Sequence, residues 1–366
     1  MISILLKTII ILKVARIESP SINSKGESHM KTIYVSSHEN TSADFRTVTD
    51  AILSIPVSNT EPVTISIAPG VYHEKLTIDR PYLTLIGNGA NNCETVLTYD
   101  DYAFYLMPDG MKRGTFRSYS VFIDTHDVTL KNLTIENASG DSATHGQAIA
   151  LYADGDRLFF DHIRLLGHQD TLFTGPLPPK EKEPNGFIGP KQFAPRINGR
   201  QYYKSCYICG DVDFIFGSAT AYFEHCTIES LARFADENSY EQDKSAKIQG
   251  YVTAASTAKG QQYGYVFSDC KLISADCPNA SVYLGRPWRE FAKTVFLHCE
   301  FGPHIHPERF HDWNKKEAHD TIFYAEYENV PAPLTPASFV TELTSDLAKE
   351  YTKTSVLSGT DGWIPN

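Results

Sequence analysis

Asn132-Leu133-Thr134-Ile135, His162-Ile163-Arg164-Leu165, Ser205-Cys206-Tyr207-Ile208, His225-Cys226-Thr227-Ile228, Asp269-Cys270-Lys271-Leu272 and His298-Cys299-Glu300-Phe301 are six copies of one short pattern. Each opens on a polar residue, continues with an apolar residue or cysteine, and places a second apolar residue two positions on. Phe160, Tyr203, Phe223, Phe267 and Phe296 stand two positions ahead of five of the copies. Successive copies begin 30, 43, 20, 44 and 29 residues apart. The shortest spacing is about one coil of a parallel β-solenoid, and the longer ones are coils carrying loops or further turns. The expected fold is therefore all-β.

The flanking sequence agrees. Val63-Thr64-Ile65-Ser66-Ile67 alternates, Gly70 breaks the run, Glu74–Ile78 alternates again, and Tyr82–Ile86 leads into a Gly87-Asn88-Gly89 turn. Short alternating runs punctuated by Asn, Asp and Gly signify strands and turns. Only 44–54 suggests a helix. The polar stretches Pro176–Pro195, Ser230–Lys247 and Pro303–His319 are expected as loops, and loops on one side of a solenoid build its binding cleft.

At 366 residues with 42% hydrophobic content, the chain is long enough for a large core. Its formal net charge of −11 argues against a nucleic-acid partner, which calls for a basic face. The same charge exerts no long-range pull on a polyanion, so an acidic polymer would have to be held by local arginines and stacking. The apolar stretch 1–17 is interrupted by Lys7 and Lys13 and is too short to span a bilayer, so no membrane partner is expected. It is also a poor signal peptide, with an uncharged start and no small-residue cleavage site. Residues 1–30 are set aside as a leader or non-domain segment, Met30 being a second possible start, and 31–366 as one domain. Export is left open between an extracellular and a cytoplasmic location. The cysteine count is odd, seven, and four cysteines share one position of the pattern. They are expected as a buried thiol ladder rather than as disulfides or a metal site.

Two aspartates share a phase of the repeat: Asp170 lies eight residues after His162, and Asp213 eight after Ser205. On neighbouring coils, spaced about 4.8 Å apart, their carboxyls would meet, and two acids so placed can divide the roles of nucleophile and proton donor. Asp213 precedes the apolar run Phe214-Ile215-Phe216, so its carboxylate should be sheltered and need a cation. Arg286, between Gly285 and Pro287, is the candidate. Gln147 and Gln169 are neutral donors suited to a transient oxyanion. Trp288, on the same Gly/Pro turn as Arg286, suits stacking on a sugar ring. Taken singly, each has a plainer reading: a structural ion pair, a turn aspartate, a polar ladder, core packing. Asp161, Asp211, Asp269, His162, His168, His225 and His298 are expected as turn or ladder residues.

Read together, Gly70-Val71-Tyr72-x-Glu74, Gln147-Ala148-Ile149-Ala150-Leu151, Gln169-Asp170-Thr171-Leu172, Asp213-Phe214-Ile215-Phe216-Gly217 and Leu284-Gly285-Arg286-Pro287-Trp288 resemble the pectin methylesterases (pectinesterases), carbohydrate esterases, from about Lys31 onward. Ile149 stands where valine is usual. Thr115-Phe116-Arg117-Ser118 resembles the family's upstream threonine segment, with Tyr119 in place of its small residue. The resemblance implies a single right-handed parallel β-helix with a loop-built cleft. It implies hydrolysis of the methyl esters of polygalacturonate to pectate and methanol through an aspartyl acyl-enzyme, without cofactor or metal. Its matching positions make Asp213 the nucleophile, Asp170 the general acid/base, Gln147 and Gln169 the oxyanion donors and Arg286 the partner of the nucleophile. Trp288, Thr115 and Phe216 match substrate-contacting positions. The partner would be methyl-esterified homogalacturonan or its oligomers, met by a monomer. The alternatives are a lyase or polygalacturonase on the same scaffold, or a non-catalytic sugar-binding β-helix.

Overall fold

A computed structural model describes residues 31–39, 41–233 and 248–365. The leader assigned to 1–30 and most of the stretch Ser230–Lys247 lie outside the described residues. The strands alternate in burial, as in Val63–Ile67 and Leu83–Gly87, where every second side chain is buried. One face of each strand thus feeds an interior and the other meets solvent or a loop. Strands pair in parallel with the equivalent strand of the next coil, building sheets of eleven, seven and eight strands among the described residues. This is a parallel β-helix. Among the described residues no helix is long and apolar enough to cross a membrane.

Each copy of the sequence pattern is one coil. Leu158–Asp161, Arg164–Leu166 and Leu172–Thr174 make one circuit of the three sheets; Arg200–Lys204, Tyr207–Gly210 and Val212–Gly217 make the next. The first residue of the pattern is the corner. Asn132, His162, Ser205, His225, Asp269 and His298 all hold positive φ, between 51° and 55°. Short polar side chains tolerate this left-handed conformation best, which explains why the position alternates among Asn, Ser, Asp and His.

Behind the corner the interior is a ladder. Phe160, Tyr203, Phe223, Phe267 and Phe296 stack nearly face on, with centroids 4.4–4.5 Å apart. Cys206, Cys226, Cys270 and Cys299 are buried free thiols beside them. Cys209 is also a buried free thiol, outside that main core.

The ends of some elements differ from the sequence reading. The helix is shorter, Val48–Leu53, with Thr47 as its cap. Glu74 is not in the second strand of 74–78, which begins at Leu76: its carboxylate accepts from the backbone amides of Val48 and Thr49, anchoring that helix. Gly70 opens the strand Gly70–His73 rather than breaking one, at a φ of +154°.

Candidate active site

The seven-stranded sheet carries the site. Its neighbours include, in order, Val121–Ile123, Leu151–Ala153, Leu172–Thr174, Val212–Gly217, Gly250–Ala255 and Val282–Gly285. Leu172 pairs with Ile215 and Phe173 with Phe216, an offset of 43 residues (215 − 172) that sets Asp170 against Asp213. The backbone confirms this closeness, since the Asp170 amide donates to the Val212 carbonyl at 3.1 Å. Both aspartates hold positive φ, 67° at Asp170 and 51° at Asp213. Against the following strand, Val212 pairs with Tyr251 but Ile215 with Thr253, so a bulge spans Asp213 and Phe214. A bulge breaks strict alternation and re-aims a side chain; here Phe214 enters the core while Asp213 lines the cleft.

Arg286 stands just past the end of Val282–Gly285, with its amide bonded to the Thr253 carbonyl at 2.9 Å. Its guanidinium grips Asp213 with two prongs, Nε to Oδ1 and Nη2 to Oδ2, both 2.8 Å. The guanidinium plane is held between Tyr251 and Trp313, 3.8 Å from each ring centroid. Such a fork is nearly fixed, because rotation would lose both stacking faces and one hydrogen bond. Asp170 has no such cation. Burial first, and then the Asp213 carboxylate, push its carboxyl well above the ordinary carboxylate range, more than Arg286 lowers it.

The two acids open into a cleft of about 320 Å³. Gln147 and Gln169 line it, half-buried, from the ends of successive coils: the Ala148 amide donates to the Gln169 carbonyl at 3.0 Å. Thr115, in the short helix Thr115–Arg117, Phe216 and Trp288 line it as well. All eight side chains singled out from the sequence therefore meet at one place. The insertion adds Lys182, Glu183, Gly186 and Phe187 to the lining, and Phe187 contacts Trp288 edge-on at 6.2 Å. Sequence reasoning missed Trp313 and Tyr251, which pin Arg286, and Phe116, which packs between Phe173 and Phe187. Trp313 lies in a stretch assigned only as polar loop, and only its being one of three tryptophans marked it. Asp211 and His168, expected at turns or in a ladder, face each other from adjoining coils, Nδ1 to Oδ2 at 3.5 Å, and Asp211 also accepts from Ser142 Oγ. Among the described residues no three His, Cys, Asp or Glu side chains are gathered as metal ligands.

The family model described as Pectinesterase matches residues 33–176 and 196–355, passing over the insertion. Pectinesterase 31 of Arabidopsis thaliana is 32% identical over 291 residues, 78% of this chain and 79% of its own. Pectinesterase A of Dickeya dadantii is 32% identical over 362 residues, 88% of each chain. Among solved structures, pectin methylesterase PemA from Erwinia chrysanthemi superposes with a TM-score of 0.72 at 30% identity, covering 93% of this chain and 99% of that one. A pectin methylesterase in complex with a hexasaccharide gives the same TM-score and identity, over 92% of this chain and 100% of that one.

Proposed function

The chain belongs to the pectinesterase family of carboxylic ester hydrolases, and we propose that Asp213 and Asp170 are the pair with which it removes methyl groups from polygalacturonate. One observation carries this reading: of two buried acids on adjoining coils, one is gripped by a guanidinium and the other is pushed toward its protonated form. Neighbouring carboxyls do not both ionise cheaply, so a single proton resides on Asp170.

The reaction is a double displacement. Asp213 attacks the C6 carbonyl of a methylated residue. Gln147 and Gln169 amides receive the charge that develops on the carbonyl oxygen. The C6–OCH3 bond breaks, and the Asp170 proton passes to the departing methoxide to give methanol. Asp170, now anionic, deprotonates a water that hydrolyses the acyl-enzyme and frees Asp213. Arg286 orients the attacking carboxylate throughout. Trp288, Phe216 and Thr115 hold the sugar rings of the polymer or its oligomers.

Asp213→Ala tests this reading. With methylated pectin as substrate, methanol release should fall by roughly 10⁴-fold or more, with unfolding little changed. Absorbance of unsaturated products and release of reducing ends, followed alongside, should stay at background. Wild-type methanol release by the variant would remove Asp213 from the reaction.

A further inference from the structure

A third carboxylate lies beside the pair. Asp211, two residues before Asp213, is 1% exposed. Its Oδ2 accepts from Ser142 Oγ at 2.6 Å, and its Oδ1 accepts from its neighbour's amide, Val212 N, at 2.6 Å. The only cationic side chain paired with it among the described residues is an imidazole, His168, whose Nδ1 lies 3.5 Å from Oδ2. The Asp211 amide donates to the His168 carbonyl at 3.2 Å. The offset between these two, 211 − 168, equals that between the reacting acids, 213 − 170, so the pairs sit side by side on the same two coils. His168 also directly precedes Gln169. It is half-buried and open enough to exchange protons.

We propose that His168, in its imidazolium form, is the counter-ion of Asp211 and a positioning residue for the proton that Asp170 carries. The inference rests on Asp170 being the proton donor. When the C6–OCH3 bond breaks, the Asp170 O–H bond breaks with it, the proton and methoxide form methanol, and Asp170 is left negative. Arg286 is already committed to Asp213. With His168 charged, the new anion faces a neutralised Asp211; with His168 neutral, it faces an uncompensated buried one, and Asp170 holds its proton more tightly. Asp211 already acts on Asp170 in this direction. The hydrogen bond with Asp211 raises His168 above the ordinary imidazole range, against burial, so the charged form extends toward neutral pH. Asp141, at the cap of the short helix Ser142–His145, and Asp276 face His168 and act in the same sense. Among the described residues the Cys277 thiol is a further ionisable neighbour, raised by burial first and then by Asp276 and Asp211.

The test is the pH dependence of kcat for methanol release from methylated oligogalacturonates. In the wild type kcat should fall as pH rises through the His168 pKa. His168→Gln should lower kcat about tenfold on the acid side, one pKa unit of proton affinity being tenfold, and should lose that fall. Asp211→Asn should also lose it, and His168→Gln added to Asp211→Asn should cost nothing further. NMR titration of His168 in the wild type supplies a check that needs no folded Asp211 variant: its pKa must coincide with the kinetic one. A His168→Gln profile superimposable on wild type, or a kinetic pKa apart from that of His168, overturns the proposal. Should Asp170→Asn keep wild-type turnover, the proton-donor reading fails instead; an inactive Asp170→Asn with an unaltered His168→Gln profile defeats this inference alone.

Discussion

Asp170 and Arg286 show how little of a residue's character lies in its type. Asp170 is an acid whose surroundings favour hydrogen on it, and that preference has a cost. A carboxyl raised above its unfolded value contributes its stability in full below that ordinary value and loses it as pH rises through the raised one. Asp170→Asn should therefore abolish turnover yet raise Tm, by little near pH 4 and by more near pH 8, with about 2–4 °C or less for each kcal/mol recovered. Thermal unfolding at both pH values is the check, and an equal difference at the two would contradict burial as the cause. Arg286→Lys keeps the charge but loses the fork and the flat face between Tyr251 and Trp313. We expect a loss of about 10²–10³ in kcat with KM little altered, because the attacking carboxylate would no longer be aimed. A near-normal kcat in steady-state assays would show that charge alone suffices.

The coil is the element in which the sequence is most readable. Six corners were found from a pattern of polar and apolar residues, and the aromatic stack and thiol ladder follow from its phase. The meeting of Asp170 with Asp213 was legible for the same reason: equal phase on adjoining coils is a distance of one strand spacing. Less legible was anything set by the backbone between ladders. The bulge at Asp213 depends on Val212 pairing with Tyr251 and Ile215 with Thr253, and the grip of Trp313 on Arg286 depends on a loop whose path no periodicity records. Glu74 was misplaced because a carboxylate inside an alternating run can instead cap a helix far away in sequence. The corners themselves can be tested. His225 is exposed with a φ of 53°, so His225→Gly should leave stability unchanged or slightly improved, whereas a branched side chain there meets the left-handed penalty of about 1–2 kcal/mol. Urea unfolding of His225→Val and His225→Gly should differ by that amount; equal midpoints would mean the corner relaxes freely.

For the whole molecule, a net charge of −11 is set against a local basic rim. Lys182 and Arg289 line the cleft, and Lys315 lies so close to them that burial, followed by the charge of Lys182, pulls its ammonium down to about 8. A de-esterified stretch of substrate is itself an anion, repelled by the molecule as a whole and attracted by that rim. The two effects differ in range. Repulsion from the distributed charge acts beyond the Debye length, which is about 10 Å at 0.1 M salt, while contacts across the cleft are shorter than that and less screened. Raising ionic strength from about 0.01 to 0.15 M, between Debye lengths of roughly 30 and 8 Å, should therefore lower KM for a sparsely methylated polymer by a few-fold. KM for a fully methylated one, carrying no charge to repel, should stay nearly constant. Lys182→Gln, which removes one cation from the cleft lining, should enlarge the salt effect on the sparsely methylated substrate, because the opposing attraction is reduced. Initial rates of methanol release across a salt series measure both. If KM for the charged polymer rises with salt, the basic rim dominates its capture, and the net charge of the molecule is irrelevant to how it finds its substrate.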